Sequence, residues 1–236
     1  MKFSVIFRST SLFSLKSSNA TNSGAKSLFL PSPYSIKMAI LNQAITVGGD
    51  LEKLSIKKSK EFEYIRDAKI EYYIPKGSCF TVNNSFIKIL KLKEDKRNKK
   101  QREEGVEFEP GFSSTVSFRE YVHIHGDVEL IFDVKNEEAK SYLKQYLHRI
   151  NYFGKKGCFF QFINYSDEPS SANVQLFSSE NLQIGLIEEY DDFDTKATFE
   201  NVDNFSSKTT KREKLILTLP IENFSSSKSF SCYRVI

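Results

Sequence analysis

Apolar and polar residues alternate from the first positions. Phe3, Val5 and Phe7 face one way, and Ser4, Ile6 and Arg8 the other, so period two predicts a strand over residues 2–8. The polar, small residues from Ser9 to Lys26 suit an exposed loop. After Leu28-Phe29-Leu30, Ser32 can cap a helix that starts at Pro33, where a missing N–H costs nothing. Ile36, Ile40 and Ala44 form its buried stripe, and Gly48-Gly49 ends it. Ala68–Ile74 reads as a second strand. Cys79–Lys93 and Thr115–His125 read as the two arms of a long hairpin with a charged tip at residues 94–110. In the second arm Val116, Phe118, Val122 and Ile124 share a face, broken by Glu120. Thr115, Ser117, Arg119, Tyr121, His123 and His125 share the other.

Gly126 shifts the register, as a bulge does. Val128, Leu130, Phe132 and Val134 continue as a strand, and Asn136 caps a second helix. Ala139, Leu143, Tyr146, Leu147 and Ile150 fit the helical template. A glycine-bounded loop, Gly154–Gly157, leads to a last apolar strand at Cys158–Tyr165. The order β-α-β-β-α-β predicts an α+β, ferredoxin-like (RRM-like) core over residues 1–165, with the hairpin at about 79–125 inserted. Residues 166–236 are expected to form a C-terminal β-rich extension, with strands near Val174–Phe177, Leu182–Glu188, Lys214–Leu219 and Cys232–Ile236.

Composition supports a folded, sheet-rich chain. Of 236 residues 39% are hydrophobic, and Phe is abundant at 21 while Trp is absent. The net charge of +4 is too mild to name a partner, so the placement of charge matters more. Cys79, Cys158 and Cys232 match neither a zinc spacing nor a disulfide framework, and predict reduced thiols. No secretory or membrane-spanning run stands out, which predicts a cytoplasmic protein.

Four constellations could carry chemistry. Between Lys88 and Arg102 lie eight basic residues with only Glu94 and Asp95 as acids, a density suited to phosphate contact or to a solvated hairpin tip. Arg119, Tyr121, His123 and His125 offer a strand face for stacking and phosphate contact with single-stranded RNA. The same types could serve metal-free RNA cleavage, with an ordinary polar strand face as the plain alternative. Gly154-Lys155-Lys156-Gly157 brings backbone and two charges close to a partner, but follows a helix where a P-loop precedes one. The acidic run Glu188–Asp194 suits a divalent ion or a basic partner, and more simply a solvated loop. No metal site is expected, because His123-x-His125 lacks a third ligand at matching spacing.

The stretch Leu30-Pro31-Ser32-Pro33-Tyr34-Ser35-Ile36-Lys37, leading into Ala39-Ile40-Leu41, resembles the start of the Cas-five family of CRISPR-associated RAMP proteins. Met38 stands where those proteins usually carry Gly. Tyr152-Phe153-Gly154-Lys155-Lys156-Gly157 is similar to the family's glycine loop before the last core strand, and the hairpin to its "thumb". The resemblance implies a non-catalytic subunit of a type I Cascade-like complex that caps the 5′ handle of the CRISPR RNA (crRNA). Implied partners are a Cas-seven-like backbone subunit and the large subunit, with target DNA near the hairpin. No cofactor and no membrane are implied. One branch of the family instead cuts precursor RNA with Tyr, Lys and His side chains.

The residues expected to contact RNA are Arg8, Lys16, Lys26 and Lys37 from the first strand, loop and helix. The basic run adds Lys91, Lys93, Lys96 and Arg97, and the polar strand face adds Arg119, Tyr121, His123 and His125. Lys155 and Lys156 complete the set. For the cleaving alternative, His123 or His125 would be the base, helped by Tyr121 and by Lys93 or Lys155.

Overall fold

A computed structural model describes residues 1–20 and 24–236. Strands β1 (Lys2–Ser9), β2 (Leu15–Lys16), β3 (Gly24–Ala25) and β4 (Ser27–Leu28) precede helices α1 (Pro33–Thr46), α2 (Leu51–Ser55) and α3 (Lys60–Arg66). Next come β5 (Lys69–Tyr73), β6 (Cys79–Leu92), a short α4 (Lys99–Glu103), β7 (Phe112–His125), β8 (Asp127–Asp133), α5 (Glu137–Leu147) and β9 (Phe160–Ser166). The last third adds β10 (Gln175–Leu176), β11 (Leu186–Phe193), β12 (Arg212–Leu219), β13 (Ile221–Ser226) and β14 (Phe230–Val235).

The core sheet has the order β5-β8-β1-β9. All its pairs are antiparallel, with α1 following β1 and α5 following β8. The first and third core strands therefore lie in the middle, which makes this a ferredoxin-like β-α-β-β-α-β unit. The caps follow the sequence: Ser32 Oγ accepts from Ser35 N at 3.1 Å, and Asn136 Oδ1 accepts from Ala139 N at 2.9 Å. Phe3, Val5 and Phe7 on β1 and Val128, Leu130 and Phe132 on β8 are buried with Ile36, Ile40, Ala44, Leu143 and Leu147 of the helices. Each large apolar side chain so buried contributes about 1.5–3 kcal/mol.

Gly126 is a pivot between two sheets. It separates β7, in the hairpin sheet, from β8, in the core sheet. Its φ of +140° and the 2.4 Å that a Cβ would leave to Ser78 Oγ both require glycine.

The outer face of the core sheet is not open. From the end of β9 the chain crosses it to the edge of β5. Ser170 N donates to Glu129 Oε1 at 3.0 Å on the way, and Asn173 then pairs with Tyr72 O and both polar groups of the Ile74 backbone. Beneath this strap Ser4, Glu129 and Ile131 are buried. An RRM-like reading of that face as a nucleic-acid platform therefore does not apply.

Beyond the strap, β10, β12 and β11 form a sheet whose β11 packs on α1. Tyr34 and Phe193 meet edge to face at 5.1 Å, and Tyr190 lies beside Tyr72. Strand β14 pairs with the base of β6, from Phe230↔Asn83 to Arg234↔Cys79. The base of the hairpin thus belongs to a five-stranded sheet, β13-β14-β6-β7-β3.

Three sequence expectations change. The acidic run is no solvated loop: it is β11, with Tyr190 and Phe193 buried and its carboxylates paired within the chain. Burial along this strand does not alternate, since Tyr190 and Asp191 are both buried, so period two could not reveal it. The stretch Ser9–Lys26 is partly packed, with Phe13 fully buried and bonded to Val122 and with Leu15 paired to Leu28; its residues 21–23 lie outside the described residues. The strand expected at Leu182–Glu188 begins later, at Leu186. Short α2 and α3 and strand β13 carry too few apolar positions to have shown a period.

Candidate nucleic-acid interface

A cleft of about 360 Å³ opens where five segments meet. The glycine loop supplies Gly154 and Lys155, β2 supplies Lys16, β7 supplies Arg119, and the start of α1 supplies Ser32, Tyr34 and Ser35. The fifth segment, the β11–β12 pair, supplies Asp191 and Arg212. Four cations thus face one carboxylate. The first turn of α1 holds no acid, so its N-terminal N–H groups add to the positive field.

Arg212 is held rather than free. Its guanidinium lies 4.1 Å from the Tyr34 ring centroid, and its Nη1 donates to Asp191 Oδ2 at 2.9 Å. Burial opposes ionisation of Asp191, but Lys214 and Arg212 together hold its carboxyl below the usual range. Lys16 and Lys155 stand at the mouth to meet an oxyanion, beside Arg119, whose Nη1 donates to Phe118 O at 2.8 Å. Such a cleft can hold phosphate groups and has no nucleophile paired with a base.

The hairpin beyond the five-stranded base is an arm. Its register places Phe86, Lys88, Leu90 and Leu92 of β6 on the same face as Phe118, Val116 and Phe112 of β7. Nearer the base that face is core, with Phe80, Val82, Val122 and Ile124 buried; further out Phe86, Leu90, Leu92, Phe112 and Val116 are 61–74% exposed. No acid occurs from Cys79 to Lys93 or from Gly111 to Arg119, while Lys88, Lys91, Lys93 and Arg119 do. The apolar face carries Lys88, while Lys91 and Arg119 lie on the opposite face, so the arm offers an apolar surface for stacking with basic side chains on both sides.

The tip differs from the arm. From Glu94 to Pro110 five basic residues face six acids. Arg97 Nη2 pairs with Asp95 at 2.8 Å, Arg102 adds a contact at 3.6 Å, and Lys99 and Lys100 each pair with a glutamate one turn on. The Arg97 bonds push the Asp95 carboxyl far below its usual range. The tip is therefore self-neutralised, and Lys96 and Arg97 stand in a different field from Lys91 and Lys93.

On the opposite strand face His123 and His125 have ring centroids 4.4 Å apart, and His125 Nε2 lies 3.0 Å from Thr81 Oγ1. Among the described residues His123 Nδ1 is buried without a hydrogen-bond partner, and burial, then His125, lowers the pKa of the ring. His123 pairs with Thr81, whereas Lys93 lies beyond Leu92↔Phe112. At about 3.3 Å per residue that is roughly 40 Å along the strand, so Lys93 cannot assist His123. Among the described residues no cluster of three or more His, Cys, Asp or Glu could hold a metal ion.

No protein-family model and no curated protein matches the chain. Among solved structures, a CRISPR protein from Archaeoglobus fulgidus overlaps 100% of this chain and 92% of its own, at 13% identity and a TM-score of 0.42. Strand order and pairing define the fold here independently of that overlap. No helix of the described residues is long and apolar enough to cross a membrane.

The expected site residues divide accordingly. Lys16, Arg119 and Lys155 converge on the cleft, and Lys156 sits exposed beside Lys155. Lys91 and Lys93 lie far out on the arm; Tyr121, His123 and His125 lie nearer its base, on the strand face that Lys91 shares. Arg8 is paired with Asp127 at 2.7 Å, and Lys26 lines a separate cleft with Glu120 and Glu188. Lys37 is a correction: it is 2% exposed, with Nζ 2.7 Å from Asp192 and donating to Arg66 O at 2.8 Å. A side chain so enclosed fastens α1 to β11 and cannot touch RNA. Arg212 and Tyr34 were missed. Tyr34 was legible as the residue after the Pro-capped start, whereas Arg212 had no local signal.

Proposed function

We propose that this chain is a non-catalytic RNA-binding subunit of a CRISPR ribonucleoprotein of the type I Cascade kind, which caps the 5′ handle of the crRNA. The observation that carries the reading is the cleft, where Lys16, Arg119, Lys155 and Arg212 ring the start of α1. The helix at its back is the same Pro-capped segment that resembles the Cas-five family. In this reading the cleft takes handle phosphates, and the acid-free arm lies against guide or target bases. A Cas-seven-like backbone subunit and the large subunit would be its neighbours in the cytoplasm. RNA titrations across salt test this. With about five phosphates contacted, log K should fall against log salt with a slope near −3.5, at about −0.7 per contact. Arg119→Glu and Lys155→Glu should weaken binding, and a slope near zero would remove the reading.

A second reading, metal-independent cleavage of precursor RNA, is favoured by one observation. His123 is biased toward the neutral form that a general base needs. Labelled repeat RNA incubated in EDTA decides between the two. Cleavage lost in His123→Ala supports the enzyme, and RNA left intact by the wild-type chain supports the cap.

A further inference from the structure

We propose a second oxyanion site on this chain, for a phosphodiester group of RNA, walled by Lys196, Lys208 and Lys211 beyond the end of the β11–β12 pair. The inference rests on the nucleic-acid reading of the first cleft. Thr198, Asn201 and Thr209 complete the wall of a cavity of about 390 Å³, and no carboxylate belongs to that wall. Glu200 pairs with Lys208 from outside it.

The frame is rigid. Asn201 is buried; its Oδ1 accepts from Thr198 N at 2.9 Å and Thr198 Oγ1 at 3.0 Å, and its Nδ2 donates to Thr209 O at 2.9 Å. Ala197 is fully buried, and its carbonyl accepts from Arg66 Nη1 at 3.3 Å. Phe199 meets Phe62 edge to face. Lys196 and Lys211 are therefore carried on a fixed loop around one hollow, with Lys208 at its edge paired to Glu200. Like charges so placed repel, and an entering anion relieves that repulsion.

Position selects the ligand. Lys211 is the residue next to Arg212, and Arg212 lines the first cleft. A strand lying across Arg212 reaches the second hollow by passing round the end of β12. A polyanion that continues past the cleft meets it; a short one does not.

The test uses the full chain and two labelled oligouridylates, of about 4 and about 16 nucleotides, the range over which single-stranded sites are built. In the double variant Lys196→Glu/Lys211→Glu, the salt slope for the longer strand should drop by about 1.4, two contacts at about 0.7 each. The shorter strand should bind as to wild type. Lys196→Gln/Lys211→Gln, checked by circular dichroism, should show the same ordering more weakly. An unchanged slope for the longer strand, while Arg119→Glu still weakens it, overturns this site and leaves the cleft standing. Equal weakening of both strands marks a general charge effect and also overturns it. If neither strand binds wild type, both sites fall.

Discussion

Lys37 shows how one residue can be misassigned by its type. It sits one position past Ile36 on α1, so sequence places a cation at the edge of the buried stripe. The missing information was Asp192, 155 residues away, whose strand covers that edge. Burial pushes the Lys37 pKa down and that of Asp192 up, yet the two groups remain in contact. Replacing Lys37 by Met should cost about 3–5 kcal/mol in urea unfolding, because it leaves Asp192 uncompensated. Adding Asp192→Asn should recover part of that loss; a single variant as stable as wild type would refute the pair's role. Glu188 gives a pH signature. Burial raises its pKa from 4.5 to about 7, with Glu120 adding to the rise, although Tyr190 Oη and Phe29 N both bond to it. Between those values the folded chain holds a proton that the unfolded chain has released. Stability should therefore fall as pH rises from about 4.5 to about 7. Glu188→Gln should flatten that part of the stability–pH curve, and an unaltered slope would count against it.

Among the elements, the hairpin was the easiest to find and the hardest to interpret. Alternation fixed its strands, and the observed register pairs Cys79 with His125 through Leu92 with Phe112. Charge density suggested that the tip does the binding. Composition over the whole turn reverses that, since the acids at 103–109 fold back among the bases. The exposed apolar face was hidden for a different reason: alternation tells which residues share a face, not where along the strand the core stops. Lys88→Glu/Lys91→Glu on the arm should lower the salt slope of RNA binding by about 1.4. Lys99→Glu/Lys100→Glu on the tip should change it little. The opposite ranking in the same titrations would return the contact to the tip.

Over the whole molecule, the ferredoxin-like core was legible because local signals agreed: two capped amphipathic helices and four apolar strands in the right order. What encloses that core was not legible. The strap across the outer sheet face contains Pro169 and Ser170 and no periodic pattern. Its role rests on hydrogen bonds to Glu129, Tyr72 and Ile74 that span 41 to 101 residues of sequence. The cleft has the same origin, since its four cations come from four separate stretches. Residues 1–165 alone lack the strap and β11, so α1 would expose the side that Phe193 covers, and β5 the Tyr72 ring beside Tyr190. That fragment should unfold over a broad range of urea and scatter light at micromolar concentration. A sharp two-state transition would show that the core stands without its cover.

The cover of α1 also sets a clock during synthesis. The ribosome releases Tyr34 long before Tyr190, and at about 5–20 residues per second the helix waits roughly 10–30 seconds for the strand that encloses it. For that interval a growing chain carries an unclosed apolar groove and an unpaired Lys37. Chaperone occupancy on the nascent chain should therefore rise once α1 emerges and end only after β11 has left the exit tunnel.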